Sequence, residues 1–323
     1  MPNALPVRRI EIPTPYAVGP VNAYLIEADP VTLIDAGINT PEGKEALLGG
    51  LSLGSSKPQD LERIIITHAH PDHYGLVHVL QEISETTVYF PAREIARVRD
   101  RQMLFEVGRL LVQAGMPLEL LFKMDQERKA APRARVDHEA VVLVNDGDVF
   151  GFDQGFKLEA LFMPGHSGGH FVYFEKESGT MFAGDQLLPD TSPNPLLEAS
   201  LDEPGERRRS LKEYLHSLER MAQMDLRLVY PGHGDPVEDP GALIQWTIEH
   251  HAKRKVDVAA HLSGEPKTPY ELAQEMYPDA AGYEEFLAVS EIVAHLDLVV
   301  EDGDAVVQED DNGITHYSAR TGS

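Results

Sequence analysis

The chain has 323 residues, 42% hydrophobic and 25% charged, a balance that excludes a disordered polymer, and it holds no apolar run long enough to span a membrane. It is strongly acidic, with 28 lysines and arginines against 53 aspartates and glutamates, and so repels polyanions unless positive charge gathers on one surface. Cysteine is absent, which excludes disulfides, a thiolate nucleophile and sulfur ligands, so any metal is held by nitrogen and oxygen.

The first residues, MPNALPVRRIEIPTP, lack the apolar run of a secretory signal, and a cytoplasmic location is expected. The length predicts a main domain of roughly 260 residues and a smaller one. Short strands are expected at VRRIEI, VNAYLIEA and VTLIDAG, starting at Val7, Val21 and Val31 and separated by proline and glycine, then a helix from about Pro41. LERIIIT reads as a buried strand, β-branched from Ile64 to Ile66, that runs into a histidine-rich loop.

From Arg93 to Arg135, apolar positions such as Val107, Leu110 and Leu111, then Leu118 and Leu121, recur at helical spacing with a break at Pro117. This helical insertion carries ten lysines or arginines against six acids, a local excess of positive charge. Strands resume at AVVLV, GFKLEALFM, FVYFE and GTMFAG, and helices near residues 205–223 and 240–261 flank LRLVY. Interleaved strands and helices predict an α/β class. Thr268, Pro269 and Glu271 form a capping-box signature that opens a new helix. FLAVSEIVAHLDL and the β-prone runs DAVVQ and ITHYS follow, so helices and then a hairpin predict a small winged-helix-like domain.

The strongest chemical signal is THAHPDH, Thr67 to His73, which offers His68, His70, Asp72 and His73 as four ligand groups in one loop. Three partners each follow an apolar strand: His166 after LEALFMPG, Asp185 after GTMFAG and His233 after RLVYPG. Strand carboxyl ends share one sheet edge in such folds, so these distant residues can converge. Seven ligands exceed the four a tetrahedral ion needs, which argues for two ions. Imidazole and carboxylate suit zinc, and also iron or manganese.

HAHPDH, with GHSGGH, AGD and PGHG downstream, resembles the metallo-β-lactamase superfamily, the order of motifs matching over roughly residues 7 to 250. The resemblance implies an αβ/βα sandwich of two mixed sheets over residues 1–262, the 93–135 insertion included. It also implies that His68, His70 and His166 hold one ion, that Asp72, His73 and His233 hold the second, and that Asp185 bridges them. Asp35 in LIDAG matches the family's early aspartate, expected to orient a ligand histidine, whereas a turn aspartate before Gly37 is an equal alternative. Asn22 and His170 are expected to serve the fold, and Ser167 either the site or a turn. Residues 263–323 resemble the winged-helix extension of a branch that includes β-lactamase-like endoribonucleases and acyl or lactone hydrolases.

The expected activity is dinuclear metal-dependent hydrolysis by a metal-bridging hydroxide, with Asp72 orienting the nucleophile, on a small anionic thioester, ester or lactone. The insertion is expected to close over the site as a lid, with Arg97 and Arg101 toward the substrate; a merely solvated helix face is the even alternative. An endoribonuclease acting on single-stranded RNA is the runner-up, and a mononuclear iron persulfide dioxygenase is the third reading. Seven acids against one arginine in residues 297–323 disfavour nucleic acid, leaving packing or formation of a homodimer as the expected role of that end.

Overall fold

The computed structural model describes residues 5–99, 101–130, 134–137 and 139–320, which fall into two compact units. The first comprises residues up to 99, 132–193 and 219–244, and the second 100–131, 194–218 and 245 onward. Arg133 lies outside the described residues, as do the side chains of Arg97 and Arg101.

In the first unit β1 (Val7–Ile12), β2 (Val21–Ile26), β3 (Thr32–Ile34), β4 (Arg63–Ile65), β5 (Thr87–Pro91) and β6 (Val141–Val144) make one sheet in that order. The chain pairs antiparallel from β1 to β3 and parallel from β3 to β6. Parallel neighbours need crossovers, and α1 (Pro41–Leu51), α2 (Pro71–Tyr74), α3 (Val77–Gln81) and α4 (Ala92–Arg99) lie along them. α1 starts where the Thr40 hydroxyl accepts from the Gly43 N–H and proline takes the first helical position.

The second sheet holds β7 (Val149–Gly151), β8 (Lys157–Phe162), β9 (Phe171–Glu175), β10 (Thr180–Gly184) and β11 (Leu228–Pro231), in the order β11-β10-β9-β8-β7. β8 and β10 are both antiparallel to β9, and β11 is parallel to β10. β8, β10 and β11 therefore run in one sense and release their following loops at one edge.

Strand alternation divides the apolar side chains between two cores. Val21, Ala23 and Leu25 of β2 and Ile64 of β4 join Leu47, Leu51, Val77 and Leu80 on the helical side of the first sheet. Tyr24, Ile26 and Ile65, one residue out of step, meet Leu158, Ala160, Tyr173 and Phe182 from the second sheet. The expected α/β class and two-sheet sandwich are what the chain forms.

The second unit contains α5 (Arg101–Gln113), α6 (Leu118–Ala130), most of α7 (Ser210–Ala222) and of α8 (Pro240–His261), α9 (Pro269–Met276) and α10 (Tyr283–Glu301), and a hairpin of β12 (Ala305–Glu309) with β13 (Thr315–Ala319). Thr268 and Glu271 form the expected capping box at the head of α9. Leu110, Leu111 and Met116 are buried in one core with Val258, Leu272, Phe286 and Ile292. The stretch expected as one insertion therefore divides: α4 belongs to the first unit, and α5 and α6 share their core with helices beyond residue 262. Apolar burial, rather than sequence proximity, draws that line. The positive charge of these helices is paired locally, Arg109 with Glu106 at 2.8 Å, Arg128 with Asp125 at 2.7 Å and Lys129 with Asp125 at 2.5 Å. No described helix is long and apolar enough to cross a membrane.

The first sheet offers a direct contrast in burial. Phe90 on β5 is fully buried and Val142 on the edge strand β6 is 45% exposed. Phe90→Ala is expected to cost ~3–5 kcal/mol of unfolding free energy in urea, whereas Val142→Ala should cost less than about 0.5 kcal/mol.

Candidate metal centre

The seven residues singled out in the sequence meet in the first unit. His68 and His70 leave β4, Asp72 and His73 lie in α2, and His166, Asp185 and His233 follow β8, β10 and β11. The nitrogen or oxygen atoms of His68, His70 and His166 lie within 4.8 Å of one another, as do those of Asp72, His73 and His233 and those of His68, His73 and Asp185. Asp185 faces both groups: one carboxylate oxygen is 3.3 Å from His73 Nε2, and the other is 3.5 Å from His166 Nε2 and 3.6 Å from His233 Nε2. Asp72 Oδ2 lies 3.4 Å from His233 Nε2.

Hydrogen bonds on the far side of each ring fix which nitrogen points inward. His73 Nδ1 donates to Asp35 Oδ2 at 2.7 Å, and His233 Nδ1 donates to the Pro20 carbonyl at 2.8 Å. The Thr67 hydroxyl donates to Asp35 at 2.8 Å and is left to accept from His68 Nδ1 at 3.0 Å. In all three residues Nε2 thus turns a lone pair to the interior. His70 Nδ1 sits 2.9 Å from His68 Nε2 and 3.0 Å from His166 Nε2, so three ring nitrogens crowd one point.

The electrostatics agree with the geometry. Burial and the imidazoles of His73 and His70 push His68 well below its ordinary range. Burial works against a proton on His73, yet Asp185, Asp35 and Asp72 raise it well above an ordinary imidazole. Burial would raise the carboxyls of Asp72 and Asp185, but His73 and then His233 hold both below the carboxylate range, Asp185 far below it. A field that favours positive charge at His73 is the field a divalent cation would meet. His73 Nε2, His233 Nε2 and Asp185 Oδ1 are buried without a hydrogen-bond partner, and such atoms are costly unless an ion engages them. Donor chemistry, tautomers and orphaned atoms all fit a pair of divalent ions.

Asp35 stands at φ 58°, in the left-handed region that aspartate tolerates, and its two oxygens receive the Thr67 N–H, the Thr67 hydroxyl and His73. It therefore orients a histidine of the centre rather than closing a turn. Asn22, expected to serve only the fold, donates to the carbonyls of Pro231 at 3.1 Å and Gly234 at 2.8 Å and so holds the loop that carries His233. His170 also belongs to the site, since its Nε2 accepts the Asp185 N–H at 3.2 Å and its ring stacks on His68 at 4.8 Å. Glu94, at the head of α4 and 2% exposed, escaped notice in the sequence. Its carboxylate accepts from the Ser167 hydroxyl, from Gly169 N at 2.7 Å and from Ala69 N at 3.3 Å, clamping the two histidine loops together.

Gly232 lets the loop after β11 press against the centre: a β-carbon there would lie 2.1 Å from Asp185 Oδ1. Beside His233 opens a cavity of about 200 Å³ lined by Val18, Pro20, Leu188, Pro189, Asp190 and Thr191.

Comparison with known proteins agrees with this arrangement. Residues 16–233 match the family model of the metallo-beta-lactamase superfamily. The chain is 34% identical over 296 residues to "Probable metallo-hydrolase YqjP" of Bacillus subtilis, the match covering 90% of this chain and 91% of that protein. A shorter match, 29% identical over 113 residues and covering 35% of this chain and 31% of the other, is to an "Atrochrysone carboxyl ACP thioesterase" of Aspergillus fumigatus. Among solved structures, a metallo-beta-lactamase family protein from Thermus thermophilus superposes with a TM-score of 0.82 at 28% identity, covering 98% of this chain and 99% of that one. With its fold, histidine and aspartate clusters and family match in agreement, the chain belongs to the metallo-beta-lactamase superfamily and is a metal-dependent hydrolase.

Proposed function

We propose that the chain is a dinuclear hydrolase of small carboxylic thioesters, esters or lactones. In this reading His68, His70 and His166 hold one zinc ion, Asp72, His73 and His233 hold a second, and Asp185 touches both. The observation that carries it is the convergence of inward-facing ring nitrogens at 2.9 and 3.0 Å around His70, beside an Asp185 that reaches the second group. Two such ions acidify water and polarise a carbonyl oxygen.

The chain's own residues supply position and exclusion. Asp72, held as a carboxylate, orients the attacking water by hydrogen bonding. The Asp35, Thr67 and His68 hydrogen-bond series keeps the His68 proton on its outward nitrogen, so His68 Nε2 presents a lone pair to the centre. Glu94 sets the spacing between the loops of His70 and His166. Val18, Pro20 and Leu188 line the cavity beside His233 together with the acids Glu11, Asp190 and Asp235, and its volume of about 200 Å³ admits a short acyl or lactone group. The thioesterase named among the relatives acts on a carboxylic thioester by its name, which supports the same scissile group here. Local pairing of the basic residues on α5 and α6 removes much of their attraction for an anion, so the reading rests on the scissile group rather than on substrate charge.

Metal quantification of the purified chain, combined with thioester, lactone, phosphodiester and RNA substrates, tests the reading. Two zinc ions that are lost when His68, His70, His73 and His233 are replaced by alanine, and turnover of a thioester, ester or lactone that chelation abolishes, are expected. Turnover of RNA alone, or one iron per chain with consumption of oxygen and a persulfide, would overturn it.

Asp35→Asn retains a residue that accepts the left-handed backbone, but its amide, with one oxygen and one NH2, cannot accept the Thr67 N–H on one side and the Thr67 hydroxyl and His73 protons on the other. The wrong His73 tautomer then points its N–H inward, and kcat should fall by about 10²–10⁴-fold at unchanged secondary structure, read by kinetics and circular dichroism. Glu94→Gln should release the centre's metal to a chelator about 10–100-fold faster with little change in thermal midpoint. Unchanged release would remove Glu94 from the positioning role.

A further inference from the structure

A second group of metal-ligating side chains lies in the second unit and contains none of the seven residues above. His251 on α8 and Glu291 and His295 on α10 bring one ligand atom each within 4.8 Å of one another. Glu291 and His295 stand one helical turn apart and so share a face of α10. His251 and His295 are 1% and 0% exposed, and the Glu291 side chain is 12% exposed.

The tautomer of His295 is set from outside. Its Nδ1 donates to the Glu291 backbone carbonyl at 2.8 Å, which leaves Nε2 with a lone pair facing His251 Nδ1 at 3.2 Å. Tetrahedral zinc holds two imidazole nitrogens about 3.3 Å apart, given bond lengths near 2.0–2.1 Å, so this separation already suits a shared ion. The Glu291 carboxyl has no lysine or arginine within ion-pairing distance among the described residues; its Oε1 lies 3.6 Å from His295 Nδ1, and Arg254, which acts on it electrostatically, lies over the Tyr277 ring at 5.5 Å. Two buried imidazoles and a carboxyl whose ligand atoms lie within 4.8 Å of one another are a set that a cation would complete.

We propose that His251, Glu291 and His295 bind one divalent transition-metal ion, zinc by the donor set, which ties α8 to α10 within the second unit. Three protein ligands leave a fourth position for water, and burial assigns the ion to stability rather than to turnover. The alternative is a hydrogen bond from His251 Nδ1 to His295 Nε2 and no ion.

The test counts metal in the full chain after removal of all ions and reloading with zinc. Wild type should bind one ion more than His295→Gln or Glu291→Gln, and both variants should keep hydrolase activity while losing the zinc-dependent rise in thermal midpoint. Equal counts in wild type and variants overturn the proposal. Because a variant may fail to fold, cobalt titration of a His68→Ala/His70→Ala chain gives a second measure with α8 and α10 intact. Visible absorption of bound cobalt that falls by one ion's worth on adding His295→Gln supports the site, and absorption indifferent to that change overturns it. Failure of the dinuclear reading would lower the wild-type count while leaving the difference between wild type and His295→Gln in place, so the two ideas fail separately.

Discussion

Lone pairs brought together in a dry place are the constraint on which the first unit depends. A buried donor or acceptor left unpaired costs about 1–3 kcal/mol, and the centre gathers several: His73 Nε2, His233 Nε2 and Asp185 Oδ1 have no hydrogen-bond partner. The surrounding fold does not relieve that cost. Instead, Asp35, Thr67 and the Pro20 carbonyl take up the outward nitrogens, so each ring is prevented from turning a proton inward. The site is built to need a cation.

Sheet direction explains why residues so far apart in sequence can share this burden. β8, β10 and β11 run the same way, so His166, Asp185 and His233 leave the second sheet together. The bridge of Val21 with His233, and the hydrogen bonds from Asn22 and Tyr24 to the Pro231 carbonyl, bind that edge to β2 of the first sheet. Stability of the sandwich and geometry of the centre are therefore one problem: a change in the packing between the sheets moves the ligands.

The histidine and aspartate clusters were legible because their signal is local. THAHPDH places four donors in seven residues, and each distant partner follows a strand readable from its apolar run. The capping box at Thr268 was legible for the same reason, its partners being three residues apart. Glu94 was not. Its contacts with Ser167 and Gly169 span 73 and 75 positions, and an acid at the head of a helix reads as an ordinary charge. His170 and Asn22 read as fold residues because what they hold, the Asp185 N–H and the loop around His233, exists only once the sheets have formed. The division of the helices was hidden likewise: the spacing of Leu110 and Leu111 shows that a face is buried, but not that Leu272 and Ile292 bury it.

The close approach of Gly232 has a bearing on how such a protein can be altered. With Asp185 Oδ1 2.1 Å from where a methyl would stand, the β11 side of the centre has no spare volume, and any side chain there displaces a ligand. The same loop, at His233 and Gly234, borders a cavity that Val18, Leu188, Asp190 and Thr191 also line. Variation by laboratory evolution is thereby kept from Gly232 and left to the side chains of Val18, Leu188 and Thr191, which do not press on Asp185.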